Sequence, residues 1–436
     1  MNQTTHDPRD QPPIAAAHSH RDSQEPQHSL SVEQARQIIA KSVNPLHAPE
    51  YVALRSALGR VLAEPITSPI DVPAYDNSAM DGYALRSADL ADHALTLQVV
   101  GTAWAGRAFA GAVAPGQCVR VMTGASMPLE CDTVIAQEFT SAANGTHVTI
   151  PRQAVQPGEN RRLRGEDLQA GSTALPKGRV LRPADLGLLA SLGVAEVAVQ
   201  RRLRVAFFST GDELRSLGQV LDAGCVYDSN RYTMYGMLQR LGCDVIDLGV
   251  VSDDRAALEK TLRCACENAD AIITSGGVSV GAADYTREVM ATLGEVNFWR
   301  IGMRPGRPMA FGQIHAADRS AYLFGLPGNP VAVMVTFYFL ARQALLQLMG
   351  ADATPLPLLR ARAQAAIRKK PGRTEYQRGI LEADASGQQT VRVTGAQGSG
   401  ILSSMTEANC IIVLHDQQGA VQAGDSVDVL LFDGLV

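Results

Sequence analysis

The sequence predicts a multidomain chain of α/β plus β class, with a doubly wound, mainly parallel α/β domain at its centre. Three observations predict it. The 436 residues exceed one ordinary domain, so roughly two to four are expected. From residue 203 strand-like runs alternate with helical ones, the rhythm of a parallel sheet covered on both faces. At 93–150 and again from 355 to the end, short β-type runs are instead separated by Gly, Pro and Asn.

Taken in order, residues 1–29 are polar and lack an apolar signal core, so they read as a disordered tail. "SVEQARQIIAKSV" opens with Ser31 and Gln34 in capping-box spacing and predicts a helix. "EYVALRSALGRVLA" predicts a second helix, and "PITSPIDVPAYDNSAMDGYALRSAD" a long functional loop leading into a short strand. Residues 30–92 and 151–202 thus form a mostly helical linker or dimerisation region, interrupted by an inserted β lobe at 93–150. In the second part, Pro183 falls in the first turn of the helix "RPADLGLLASLG".

The α/β domain spans 203–354, with strands "RVAFFST", "CDVIDLGVV", "AIITSGG", "VNFWRIGM" and "AYLFGLPG". Right-handed crossovers bring the loops after such strands to one edge. The most apolar stretch, Val331 to Met349, is interrupted by Arg342 and Gln343 and predicts a buried core helix, not a membrane span. A C-terminal β domain fills 355–436.

A net charge of −5 argues against a nucleic-acid footprint and against an anionic membrane surface. The seven cysteines are odd in number and show no paired zinc spacing. They predict free thiols in a reducing cytoplasm.

Three loops of the α/β domain carry chemistry. "FFSTGDELRS" places Ser209, Thr210, Gly211 and Glu213 after a strand. "IITSGGVSVGAADY" places Ser275, Gly276, Gly277 and Ser279 before Asp284. "FGLPGNPVAVM" places Pro327, Asn329 and Pro330 at a helix start. Glycines and helix N-termini suit a phosphate, yet no loop matches a nucleotide fingerprint. Each alone reads as an ordinary structural turn; together on one edge they predict a ligand crevice. Glu213, Asp253, Asp254 and Asp284 also gather there. Asp254 reads as a helix cap, as Asp253 and Asp284 also can. Carboxylates beside phosphate need a divalent cation between them, so the edge predicts a phosphate ester or anhydride with Mg²⁺. In "FWRIGMRPGRP", Arg300, Arg304 and Arg307 supply forked donors for an oxyanion.

Eight stretches occur in a recognisable order: "PAYDNSAMDGYA", "MTGA", "RRLRGEDL", "STGDEL", "SGGVSVGAADYT", "RPGRPMAFG", "GLPGNPVA" and "GSGILSSMTEANC". In these the chain closely resembles the molybdopterin molybdenumtransferase family, related to the E domain of gephyrin, over about residues 31 to 433. The resemblance implies a homodimer with a molybdopterin-binding α/β domain and a C-terminal β-barrel-like domain. It implies insertion of molybdate into adenylylated molybdopterin with release of AMP, assisted by a divalent cation, with Glu213, Asp253 and Asp284 as the acids that bind the substrate or Mg²⁺. Asp76 and Asp81 are then active-site acids contributed across the dimer, with Thr123, Arg162 and Asp167 on the same facing surface. Arg300 and Arg304 handle the oxyanion, while Arg378 and Ser399 lie near molybdate entry. Lysine is common in the family where this chain has RPGRP; arginine keeps the charge but cannot give up a proton. Implied partners are a molybdopterin adenylyltransferase and the apo-molybdoenzymes or cofactor-handling proteins downstream. Two other readings stay open: an adenylyltransferase sharing the α/β domain, and a catalytically inactive binding scaffold.

Overall fold

The computed structural model describes residues 29–143, 145–278, 284–352 and 355–432. In the α/β domain the strand order is Asp244–Val251, Arg204–Thr210, Ala271–Ser275, Arg319–Leu326, Pro308–Ala316, Gly294–Arg300. The first three pairings are parallel and the last two antiparallel. Alternation along the inner strands sorts side chains between two cores. Phe207, Ile273 and Phe324 face one core, with Met234 and Val331 from the helices Ser229–Arg240 and Pro330–Thr336. Ala206, Phe208, Ile272 and Leu323 face the other, with Leu262 and Met290 from the helices Arg255–Asn268 and Asp284–Leu293. Burying each large apolar side chain stabilises the fold by about 1.5–3 kcal/mol.

Pro308–Ala316 is a strand that the sequence reading missed, so the sheet is mixed. Proline at its first residue is where a strand tolerates one. Because this strand alone runs backwards, Gly294–Arg300 again points its C-terminal end at the common edge. The apolar helix after Asn329 continues from Pro330 to Leu348, and 72% of its most apolar window is buried inside the protein.

The N-terminal region is less helical than expected. The capping box forms as read: Gln34 N–H donates to Ser31 Oγ at 3.1 Å, and Ser31 N–H to Gln34 Oε1 at 2.8 Å. The second expected helix does not form. Its residues make the strand Pro49–Ala53, paired antiparallel with Glu196–Gln200, and then a short 3-10 turn, Leu54–Ala57. Ala57 and Leu62 pack on Leu181, Leu189 and Val199, contacts from far along the chain that override the local periodicity. Among the described residues, this region's α-helices are Val32–Ser42 and Pro183–Ser191.

The β lobe begins before residue 93. Gly82–Leu85, from the motif loop, is an inner strand of its six-stranded sheet, between Thr133–Ala136 and Gln117–Val121. The C-terminal domain is a closed five-stranded barrel: Thr374–Ala383, Gln389–Val393, Leu359–Ala363, Ser426–Leu431 and Cys410–Leu414, which returns to the first. The two-residue strand Met303–Arg304 pairs with Thr374 and Glu375, docking the α/β domain onto the barrel.

Candidate active site

A cleft of about 1150 Å³ opens at the carboxyl edge of the mixed sheet. Its walls include Thr210, Gly211 and Glu213, then Ser275, Gly276 and Gly277, then Pro327, Asn329 and Pro330. The three loops read from sequence therefore meet in one place. Gly276, at φ +93°, is where they touch: a Cβ there would lie 2.6 Å from the Thr210 carbonyl oxygen. At Gly211 a Cβ would lie 2.6 Å from Glu213 Oε2, so the Glu213 carboxylate folds back over its own loop. The barrel closes the cleft with Gln397 to Gly400, including Ser399. The Ser399 carbonyl accepts the Val331 N–H at 3.0 Å.

Asp228 and Asn230 are among the wall residues that escaped the sequence reading. They are 3% and 8% exposed. Asn230 Nδ2 donates to Ser275 Oγ at 2.8 Å and to the Gly328 carbonyl at 2.6 Å, fastening three elements together. Asp228 caps its helix by accepting the Arg231 N–H at 3.1 Å. Among the described residues, Asp228 Oδ2, Asn230 Oδ1 and Thr210 Oγ1 are buried without a hydrogen-bond partner. The signal was present in "YDSNRYTM", where Asp-Ser-Asn precedes a helical run, a cap signature.

Asp253 also lines the cleft. Burial, then the neighbouring Asp212 and Glu213 carboxylates, push its carboxyl above the usual range. Crowded acids of this kind fit a divalent cation. Among the described residues, no group of three His, Cys, Asp or Glu is placed to hold a metal ion. Asp284 is described only as the first residue of its helix, and Ser279 lies outside the described residues. Asp254 is the cap expected, accepting the Ala257 N–H at 2.8 Å.

The basic side differs from the reading in one respect. Arg304 and Arg307 line the cleft; Arg300, at the end of its strand, does not. The Arg300 carbonyl instead anchors the start of the described chain, accepting the Leu30 N–H at 3.0 Å. Ser209 is likewise buried within its strand and is not part of the lining. A second cavity of about 290 Å³ adjoins the cleft, sharing Arg304, Pro305 and Gln397 with it, and contains Arg368 and Arg378. Arg378 is 1% exposed, and its guanidinium donates to the neutral acceptors Ser404 Oγ and Gly398 O, both at 3.0 Å. Burial, with the positive charge of Arg304 nearby, pushes its pKa down to about 10. A buried cation with neutral partners is a receptor for an anion.

The remaining residues carried over from the family motifs lie elsewhere. Asp81 accepts from Thr123 through both N–H at 2.7 Å and Oγ1 at 2.8 Å, which hold its carboxyl below the usual range. Asp76 accepts the Arg164 N–H at 2.7 Å and pairs with the Arg161 guanidinium, and its carboxyl is also held low. Arg162 pairs through its backbone with Asn77, and the Asp167 N–H donates to the Val72 carbonyl at 3.0 Å. Asp76, Asp81, Thr123, Arg162 and Asp167 do not line the cleft of their own chain.

Comparison with known proteins fits this architecture. Three family models match in order: "MoeA N-terminal region (domain I and II)" at 30–193, "Probable molybdopterin binding domain" at 206–347, and "MoeA C-terminal region (domain IV)" at 360–432. The chain is similar to the molybdopterin molybdenumtransferase of Haemophilus influenzae, 42% identical over 93% of this chain and 100% of that protein. The Nostoc protein of the same name is 37% identical, over 87% of this chain and 88% of its own. A solved molybdopterin biosynthesis moeA protein from Pyrococcus horikoshii has a TM-score of 0.80 at 28% identity, covering 93% of this chain and 100% of that one. Matched by all three regional models and by relatives over nearly its whole length, the chain belongs to the MoeA family.

Proposed function

We infer that the chain is a molybdopterin molybdenumtransferase of molybdenum cofactor biosynthesis, taking adenylylated molybdopterin and molybdate and releasing AMP. The observation that carries this is the meeting, in one cleft, of phosphate-type loops, a crowded acid and a compartment of arginines. One ligand needs all three: a diphosphate beside a divalent cation, with a tetrahedral oxyanion next to it. Mg²⁺ would be held by Glu213 and Asp253, with Asp284 as the third acid, and would supply charge neutralisation at the diphosphate.

The chain's own part is positioning. The Gly276–Gly277 and Pro327–Pro330 loops seat the phosphates, and Arg304, Arg307 and Arg378 bring the oxyanion to the dithiolene. Two Mo–S bonds form as the two thiol protons of the dithiolene leave with one molybdate oxo group as water. A further water cleaves the anhydride to AMP and the molybdopterin phosphate monoester. All seven cysteines are free thiols and none of them lines the cleft or its side cavity, so no covalent cysteine step is invoked.

The homodimer belongs to this proposal: Asp81 and Thr123, away from their own cleft, would complete the partner's. A cytoplasmic location belongs to it too, as do an adenylyltransferase that supplies the substrate and apo-molybdoenzymes that receive the product. The test is AMP release by the purified full-length chain given adenylylated molybdopterin, Mg²⁺ and molybdate. Release that depends on molybdate supports the reading. Pyrophosphate release from ATP and molybdopterin, without molybdate, would replace it with an adenylyltransferase.

A further inference from the structure

We propose that Glu375 limits how tightly the arginine compartment holds a tetrahedral oxyanion, by competing with that anion for Arg304. The proposal rests on the molybdate reading above. Glu375 lines the side cavity together with Arg304, Arg368 and Arg378, the single acid among these cations. Its position is set by backbone: Met303–Arg304 pairs with Thr374 and Glu375, with Arg304 in register opposite Glu375. Cross-strand pairing thus holds the two residues as neighbours.

The contacts of this carboxylate are loose for its burial. Glu375 is 4% exposed, yet Arg304 Nη1 and Arg373 Nε each stand 3.9 Å from it, and Gln377 Nε2 donates at 3.3 Å. Charge-assisted hydrogen bonds ordinarily measure about 2.7–2.9 Å. The same chain shows what a structural buried acid looks like: Asp270, 7% exposed, receives Arg201 through two bonds of 2.7 Å. Another nearby cation, Lys369, spends its ammonium on the Lys370 and Gln418 carbonyls at 2.8 and 3.2 Å. Glu375 is thus a buried charge kept near Arg304 without being locked to it.

An incoming dianion takes the Arg304 guanidinium and meets a carboxylate of its own sign. That repulsion weakens capture and favours hand-over to the reacting sulfurs, which is where a transferase gains from not binding its substrate too well. Glu375 is a positioning residue in this account, since it acts through Arg304.

The experiment titrates molybdate into the full-length protein and into Glu375→Gln, and measures the molybdate KM of both with adenylylated molybdopterin. Glu375→Gln should bind molybdate about tenfold tighter, the order expected for removing a like charge a few ångströms away. Its molybdate KM should fall while its KM for adenylylated molybdopterin stays. Glu375→Ala should behave the same way, since it removes the charge without leaving an amide. A residue needed only for folding would weaken binding instead. Equal or weaker molybdate binding in both variants overturns the proposal and leaves the transferase reading standing. Absence of molybdate binding and of molybdate-dependent AMP release in the parent protein overturns both.

Discussion

Asp76 and Asp81, at the β-lobe edge, receive their hydrogen bonds from the protein: Arg161 and Arg164 for one, Thr123 for the other. Asp253, in the cleft, is shifted mainly by burial and by the like charges of Asp212 and Glu213, against a hydrogen bond from the Asp212 backbone. The first two carboxyls are held below their usual range and the third above it. The difference teaches how to read an acid. Hydrogen bonds from the chain favour the ionised form of the first two, while like charge around the third favours a cation beside it. The arginines divide the same way, between Arg201, doubly bonded to Asp270, and Arg378, buried on neutral acceptors.

The largest effect that could break this contrast is catalytic. Asp253→Ala should lower molybdate-dependent AMP release by at least about 100-fold while circular dichroism stays native, and near-normal turnover would remove Asp253 from the site. Next comes subunit mixing. Asp81→Ala and Asp253→Ala proteins, each inactive alone, should regain about a quarter of parental activity when unfolded and refolded together, because half the dimers then hold one intact composite site. No recovery would place Asp81 in its own chain's chemistry.

Smaller effects fall on stability. Arg161→Ala should destabilise the β-lobe junction by about 1 kcal/mol in urea unfolding, since it strips a guanidinium from a partly exposed ion pair, and should leave molybdate affinity unchanged. The smallest is the pH response of Asp253. A carboxyl raised by the fold stabilises the native state in its neutral form, so its contribution is full below the unfolded value near 3.8 and lost as pH rises through the folded value. Asp76 runs the other way: held low, it stabilises above the unfolded value and that is lost as pH falls. Asp253→Asn should therefore raise Tm at pH 7 and change it little at pH 3, and saturating Mg²⁺ should shrink the gain at pH 7.

Much of this was legible in the sequence, and for local reasons. The Ser31–Gln34 capping box forms from residues three apart. Glycine-rich loops after apolar runs fixed Gly211, Gly276 and Asn329 at the cleft because parallel strands deliver their loops to one edge. The failures need long-range information. Residues 49–57 carry a helical period, but pairing with Glu196–Gln200 makes them strand and turn. The strand Pro308–Ala316 hid behind two prolines, and only its antiparallel place in the sheet reveals it. Arg300 and Arg307 look alike in "FWRIGMRPGRP", yet the turn through Pro305 and Gly306 brings Arg307, not Arg300, to the cleft.

The proposed function requires a divalent cation between the cleft acids and a diphosphate. Soaking crystals of the full-length chain with adenylylated molybdopterin and Mn²⁺ in place of Mg²⁺ tests it most directly. An anomalous peak is expected about 2.0–2.3 Å from a carboxylate oxygen of Glu213 or Asp253 and from a phosphate oxygen. A ligand seated in the cleft with no metal within reach of either acid would contradict it.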